Sequence, residues 1–106
     1  MRISLIQDVI FWADKAANLQ KTADQLAALA GQTDLVVLPE MFTTGFCTGK
    51  IHLAETMDGE TVQTLKAWAL KYKLAITGSF IATEDGLNYN RAFFVFPTGE
   101  IGRAHV

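Results

Sequence analysis

The stretch "LVVLPEMFTTGF", residues 35–46, limits most sharply what this chain can fold into. Leu35, Val36, Val37 and Leu38 form an unbroken apolar run of strand length. A strand without polar alternation asks for cover on both faces, as in the sheet of a layered α/β fold. Pro39 interrupts it and Glu40 stands just beyond, where the carboxyl ends of such strands gather functional side chains. Half of the 106 residues are hydrophobic and 19% are charged, which is enough for a modest core and too apolar for a disordered chain.

The flanking sequence supplies the layers. "ISLIQ", residues 3–7, reads as a short buried strand. From Asp14 the apolar residues Leu19, Ala23, Leu26 and Ala30 recur at helical steps. Asp14 suits the cap at the start of that helix, and Gly31 the left-handed turn after its end. Residues 41–59 have no clean period and form a long loop with room for one turn of helix; loops of that length are often functional. A second helix is expected over residues 60–73, with Val62, Leu65, Trp68, Ala69 and Tyr72 on one side. Residues 74–82 and 89–97 read as a hairpin around the polar turn "TEDGLN". The order is β-α-β-α-β-β, an α/β architecture with helices packed on a largely buried sheet.

Charge and composition exclude several functions. A net charge of −2 and a pI near 5.5 give no electrostatic footprint for nucleic acid or an anionic membrane. No apolar run approaches the roughly 20 residues of a membrane span. "MRISLIQDVIFWADK" has too short an apolar run and too early an acid for a signal peptide. Cys47 is the single cysteine and cannot form an internal disulfide, so a cytoplasmic protein is expected.

Glu40 is the first candidate for chemistry. A carboxylate at the rim of an apolar strand is expected to be partly desolvated, which makes it a better proton acceptor. A solvated strand-end residue or a helix cap would carry the same sequence. Cys47 could pair with His52 or His105 as a nucleophile and base, but no base stands at a recognisable spacing, and a small apolar filler is the simpler reading. "GFCTGK" lacks the spacing and the hydroxyl residue of a phosphate loop. His52 and Glu55 do not by themselves make a metal site. Trp12, Trp68 and the seven phenylalanines are most economically core.

At "LVVLPEMFTTGF" the sequence resembles the nitrilase superfamily, the carbon–nitrogen hydrolases. The resemblance spans about residues 3–100. "LPE" looks like the family's first motif, and "ISLIQ", Asn18–Leu19, "ITGSF" and "YNRAFFVFPTGE" fall where family members carry similar segments. The resemblance implies the N-terminal portion of an α-β-β-α sandwich. It also implies a Glu–Lys–Cys triad that hydrolyses the C–N bond of small amides through a thioester, with no cofactor. The general base maps onto Glu40, site support onto Asn90, and the pocket mouth onto Phe42 and Phe46. The form "PEMFTTGF" is similar to the omega-amidase branch, which acts on monoamides of the 2-oxoglutaramate type. A small-molecule amide is the implied partner, with no nucleic acid and no membrane, and a homo-oligomeric parent. Neither Lys50 nor Lys73 lies in the family's lysine motif, and Cys47 is in the wrong loop for the nucleophile.

The chain is therefore read as a partial carbon–nitrogen hydrolase domain, residues 1–100, expected to be inactive alone. Residues 101–106, "IGRAHV", translate ATC GGA AGA GCA CAC GTC, the opening of a widely used sequencing-library adapter, and are expected to be a non-native tail. The alternatives are a small non-catalytic α/β binding or interaction module, or half of an unrelated α/β hydrolase completed by a partner chain.

Overall fold

The computed structural model describes residues 1–46 and 51–105. The described strands β1 (Ile3–Leu5), β2 (Leu35–Val37), β3 (Ala75–Glu84), β4 (Leu87–Val95) and β5 (Ile101–His105) lie in one sheet in that order. β1, β2 and β3 are parallel, whereas β3, β4 and β5 are antiparallel. The crossovers are α1 (Lys15–Leu29) and α2 (Glu60–Tyr72). Both helices pack on one face of the sheet, where Leu19 and Leu26 of α1 and Val62, Leu65, Trp68 and Ala69 of α2 share a core with Val36, Ile76, Phe80, Phe93 and Val95.

Local chemistry sets the boundaries. The Asp14 carboxylate accepts from the Ala17 N–H at 3.1 Å, and Gly31 takes the left-handed conformation after α1 at φ +81°. The hairpin is longer than its sequence suggests: β3 and β4 pair out to Glu84 and Leu87. Asp85 and Gly86 close it with φ values of +53° and +78°, the paired left-handed geometry of a tight two-residue turn. One turn of 3-10 helix, Ile51–Leu53, interrupts the long loop.

Three features depart from the sequence reading. β1 is an edge strand and is not buried, because Ile3 and Leu5 point to the face away from the helices and are 56% and 76% exposed. Leu35 and Val37 are half-buried on that same face, so β2 is fully covered on its helix side only. Residues 101–105 form a fifth strand on β4 where no strand was expected, because β4 offers an unpaired edge that accepts a weakly patterned segment. Phe94 and Phe96 extend the uncovered face, their ring centroids 4.9 Å apart. Among the described residues no helix is long and apolar enough to cross a membrane.

The start of α2 has an unusual cap. Its N-cap is Gly59, which has no side chain to offer. Glu55 serves instead, accepting from the Thr61 N–H at 2.8 Å and the Thr61 hydroxyl at 2.5 Å, and pairing with Lys15 of α1 at 2.9 Å. Gly59 makes room for this, since a Cβ there would lie 2.8 Å from Glu55 Oε1. Burial pushes the Glu55 carboxyl up, but the Thr61 hydroxyl, the Thr61 N–H and the Lys15 ammonium outweigh it and hold it below the usual glutamate value. A lowered native pKa gives stability that is complete above the ordinary glutamate pKa of about 4.3 and lost as pH falls through the native value. In a full-length protein containing this chain, Glu55→Ala is expected to cost about 1.5–3 kcal/mol at neutral pH, the range for hydrogen bonds to a charged group. Thermal midpoints of both proteins should converge on acidification below about pH 4. A gap that persists there would show that the carboxylate charge is not its source.

Candidate active site

The polypeptide leaves β2 through Leu38, whose N–H still donates to Thr77 O of β3 at 2.8 Å. Pro39 has no N–H to extend the ladder, and residues 40–44 turn over the middle of β3. Met41 makes the reversal at φ +51°. Its side chain packs on Ile81, with Ala13, Leu53 and Ala54 around them, and so covers the distal part of the sheet face that the helices do not reach.

This turn is bound to the body of the molecule at several points. Buried Asn18 of α1 donates through Nδ2 to Thr43 O and to Phe11 O, both at 2.7 Å, and its Oδ1 accepts from the Phe11 N–H at 2.8 Å. The Ala13 N–H donates to Thr44 O at 2.8 Å. Ser79 of β3 accepts from the Met41 N–H through Oγ at 2.9 Å, and from the Phe42 N–H through its carbonyl at 3.2 Å. The loop after β1 and the turn after β2 therefore form one unit at the carboxyl ends of two parallel strands.

Glu40 projects from this unit into solvent. Its Oε2 accepts from Asn90 Nδ2 of β4 at 3.1 Å, across 50 residues of sequence. Asn90 Oδ1 is buried and has no partner among the described residues. The expected partial desolvation of Glu40 is not met within this chain, because the turn directs the carboxylate outward and only Asn90 is described against it. Phe42 is 3% exposed and sits in the core, its ring centroid 6.0 Å from that of Phe93. The reversal at Met41 turns it inward, so it is placed to pack and not to line a mouth. Phe46 is exposed. The structure thus brings Glu40 and Asn90 together, with Phe46 open to solvent beyond the turn.

The other candidates take structural positions or fall outside the description. Cys47 and Lys50 lie outside the described residues. Lys73 is the left-handed C-cap of α2. The Glu55 carboxylate is occupied by Thr61 and Lys15 and is not free to join His52. Among the described residues no group of three or more His, Cys, Asp or Glu could hold a metal ion. The sequence alone assigns no role to the Ser79 hydroxyl, and Asn18 enters it only as part of a matching dipeptide. The signal for Asn18 was an amide on the buried stripe of a helix, where a polar side chain has to find partners.

Comparison with known proteins places this geometry in a family context. Residues 2–105 match the carbon-nitrogen hydrolase family. The chain is 38% identical over 106 residues to the omega-amidase YafV of Yersinia enterocolitica, covering 97% of this chain and 40% of that protein. It is 36% identical over 101 residues to an (R)-stereoselective amidase of a Pseudomonas species, covering 93% of this chain and 37% of the relative. Among solved structures, the CN-hydrolase superfamily protein XC1258 of Xanthomonas campestris, which carries an arsenic adduct in its active site, superposes with a TM-score of 0.93 at 40% identity. That match covers 98% of this chain and 39% of the other. The chain spans about 40% of the length of the relatives it matches.

Proposed function

The chain belongs to the carbon–nitrogen hydrolase family, and on that premise we propose that it forms the base-bearing part of an amidase. The observation that carries this reading is the contact between Glu40 and Asn90. Two residues from separate matching segments meet at 3.1 Å, at the carboxyl end of a parallel strand. In the proposed mechanism Glu40 takes the proton of a cysteine thiol, and the thiolate attacks the amide carbon. A lysine stabilises the tetrahedral intermediate, Glu40 returns the proton to the amide nitrogen so that it leaves as ammonia, and water then hydrolyses the thioester to the carboxylic acid and frees the thiol. The lysine and cysteine are supplied from outside residues 1–106, and the same additional sequence covers Glu40. Asn90 holds one carboxylate oxygen so that the other faces the thiol. Phe46 is the aromatic residue placed to shape the pocket entrance.

The proposed substrates are short dicarboxylate monoamides such as 2-oxoglutaramate. The "PEMFTTGF" segment and the relatives named omega-amidase support this choice. The enzyme is proposed to act in the cytoplasm, without a cofactor, as a homo-oligomer. Ammonia release by a full-length protein containing this chain tests the reading directly. Turnover of 2-oxoglutaramate above that of an uncharged aliphatic amide is the expected result. Turnover of the aliphatic amide alone would overturn the substrate class, and release from neither would favour a non-catalytic module.

A further inference from the structure

We propose that Ser79 is the positioning residue that aims Glu40, an inference that rests on the general-base reading above. The relevant unit is the peptide that joins Glu40 to Met41. It contains the Glu40 carbonyl and the Met41 N–H, so fixing the direction of that N–H fixes the ψ rotation of Glu40 and with it where the side chain leaves the backbone. The Met41 N–H is fixed by Ser79 Oγ at 2.9 Å. The next N–H, on Phe42, is fixed by the carbonyl of the same residue at 3.2 Å. Ser79 thus takes both donors that follow the glutamate, and it does so from the interior of β3, the central strand of the sheet.

This grip has a conformation to hold. Met41 lies at φ +51°, a region that residues with a side chain seldom enter and keep only when their surroundings over-determine it. Its carbonyl is held by the Thr44 and Gly45 N–H groups at 3.1 and 2.8 Å. The carbonyl bonds close the turn on itself, whereas Ser79 ties it to the sheet. Ser79 is buried, so solvent is poorly placed to substitute for its hydroxyl. Asn90 then holds the far end of the Glu40 side chain and Ser79 the near end, from adjacent antiparallel strands. A base held at both ends on rigid strands keeps the alignment that proton transfer needs.

The test uses a full-length protein containing this chain. Ser79→Ala is expected to lower kcat by about 10-fold to 10²-fold with KM little changed, the scale of a misplaced reacting group. Ser79→Thr keeps the oxygen and should recover most of the rate. The decisive comparison repeats Ser79→Ala in a Glu40→Gln background, where the residual rate should fall no further if Ser79 acts through Glu40. An equal loss in both backgrounds, or full kcat in Ser79→Ala alone, overturns the positioning role while leaving Glu40 as base. Wild-type turnover by Glu40→Gln overturns the base assignment and this inference with it. Should Ser79→Ala not fold, Ser79→Cys carries the same comparison, since sulfur is a weaker acceptor; an undiminished rate there also overturns the role.

Discussion

Glu40→Gln in a full-length protein containing this chain is expected to lower amide turnover by about 10²-fold or more, the usual scale for losing a positioned general base. Glutamine has nearly the same shape and keeps an oxygen that can accept from Asn90 Nδ2, so the local hydrogen bond can survive. What is lost is the ability to take the thiol proton. Stability should change little or rise, because removing a charge that the additional sequence covers relieves strain at a functional site. The cap reading of Glu40 predicts a different pattern, a stability loss of about 0.5–2 kcal/mol with activity per folded molecule intact. The structure gives that reading little support, since residues 40–44 form a turn and the described α-helices begin at Lys15 and Glu60. Initial rates and the thermal midpoint of one variant separate the two. A destabilised but fully active Glu40→Gln protein would sink the catalytic assignment.

The 106-residue chain on its own is expected to release no ammonia from any amide and to self-associate. The first part follows from chemistry: a base without a nucleophile in a matching motif has no path to a thioester. The second follows from the sheet face that the helices leave bare. Ile3, Leu5, Leu35, Val37, Phe94 and Phe96 run across it from β1 to beyond β4, and they range from half-buried to largely exposed. A contiguous apolar face of this kind favours association, and the exposed edge of β1 offers a strand to pair with. Light scattering should show apparent mass rising with concentration. Leu5→Lys should reduce it by placing a charge in the most exposed part of β1. A monodisperse monomer with a cooperative thermal transition would contradict the association, and amide turnover by mass-verified 106-residue protein would contradict the inactivity.

The elements that were legible in the sequence are those whose signals are local. Asp14 and Gly31 mark the ends of α1, and the apolar spacing from Val62 to Ala69 marks the buried stripe of α2. Asp85–Gly86 announces a hairpin, although the chemistry that lets the strands pair up to the turn was not read from it. What was illegible depends on cover from elsewhere. The apolar character of β1 says that it needs burial but not which residues bury it, and in this chain its outer side chains lie open. Residues 101–106 stand apart on their coding pattern, and the strand pairing of 101–105 with β4 is a tertiary fact. The Glu40–Asn90 pair was reachable only through family resemblance, since nothing local joins residues 50 apart. Phe42 was misplaced because the left-handed turn at Met41, which sends it into the core, leaves no trace in a residue that is not glycine. Ser79 is hidden in the sequence because a small hydroxyl residue within an apolar strand looks like filler until its partners are seen.

The Asp85–Gly86 turn has a consequence for how the gene can vary in length. Hairpin tips on protein surfaces ordinarily accept extra residues, because nothing downstream depends on them. Here Asn90 reaches the level of Glu40 only because it is opposite Ile81, and that alignment is counted from the turn. One additional codon, unless a bulge absorbs it, would rotate every later side chain of β4 to the opposite face, sending Asn90 towards the helices and Phe93 away from them. Two additional codons would lengthen each strand by one residue or widen the tip, and in either case leave Asn90 opposite Ile81. The Glu40–Asn90 contact thus makes this exposed tip sensitive to an odd change in length and tolerant of an even one.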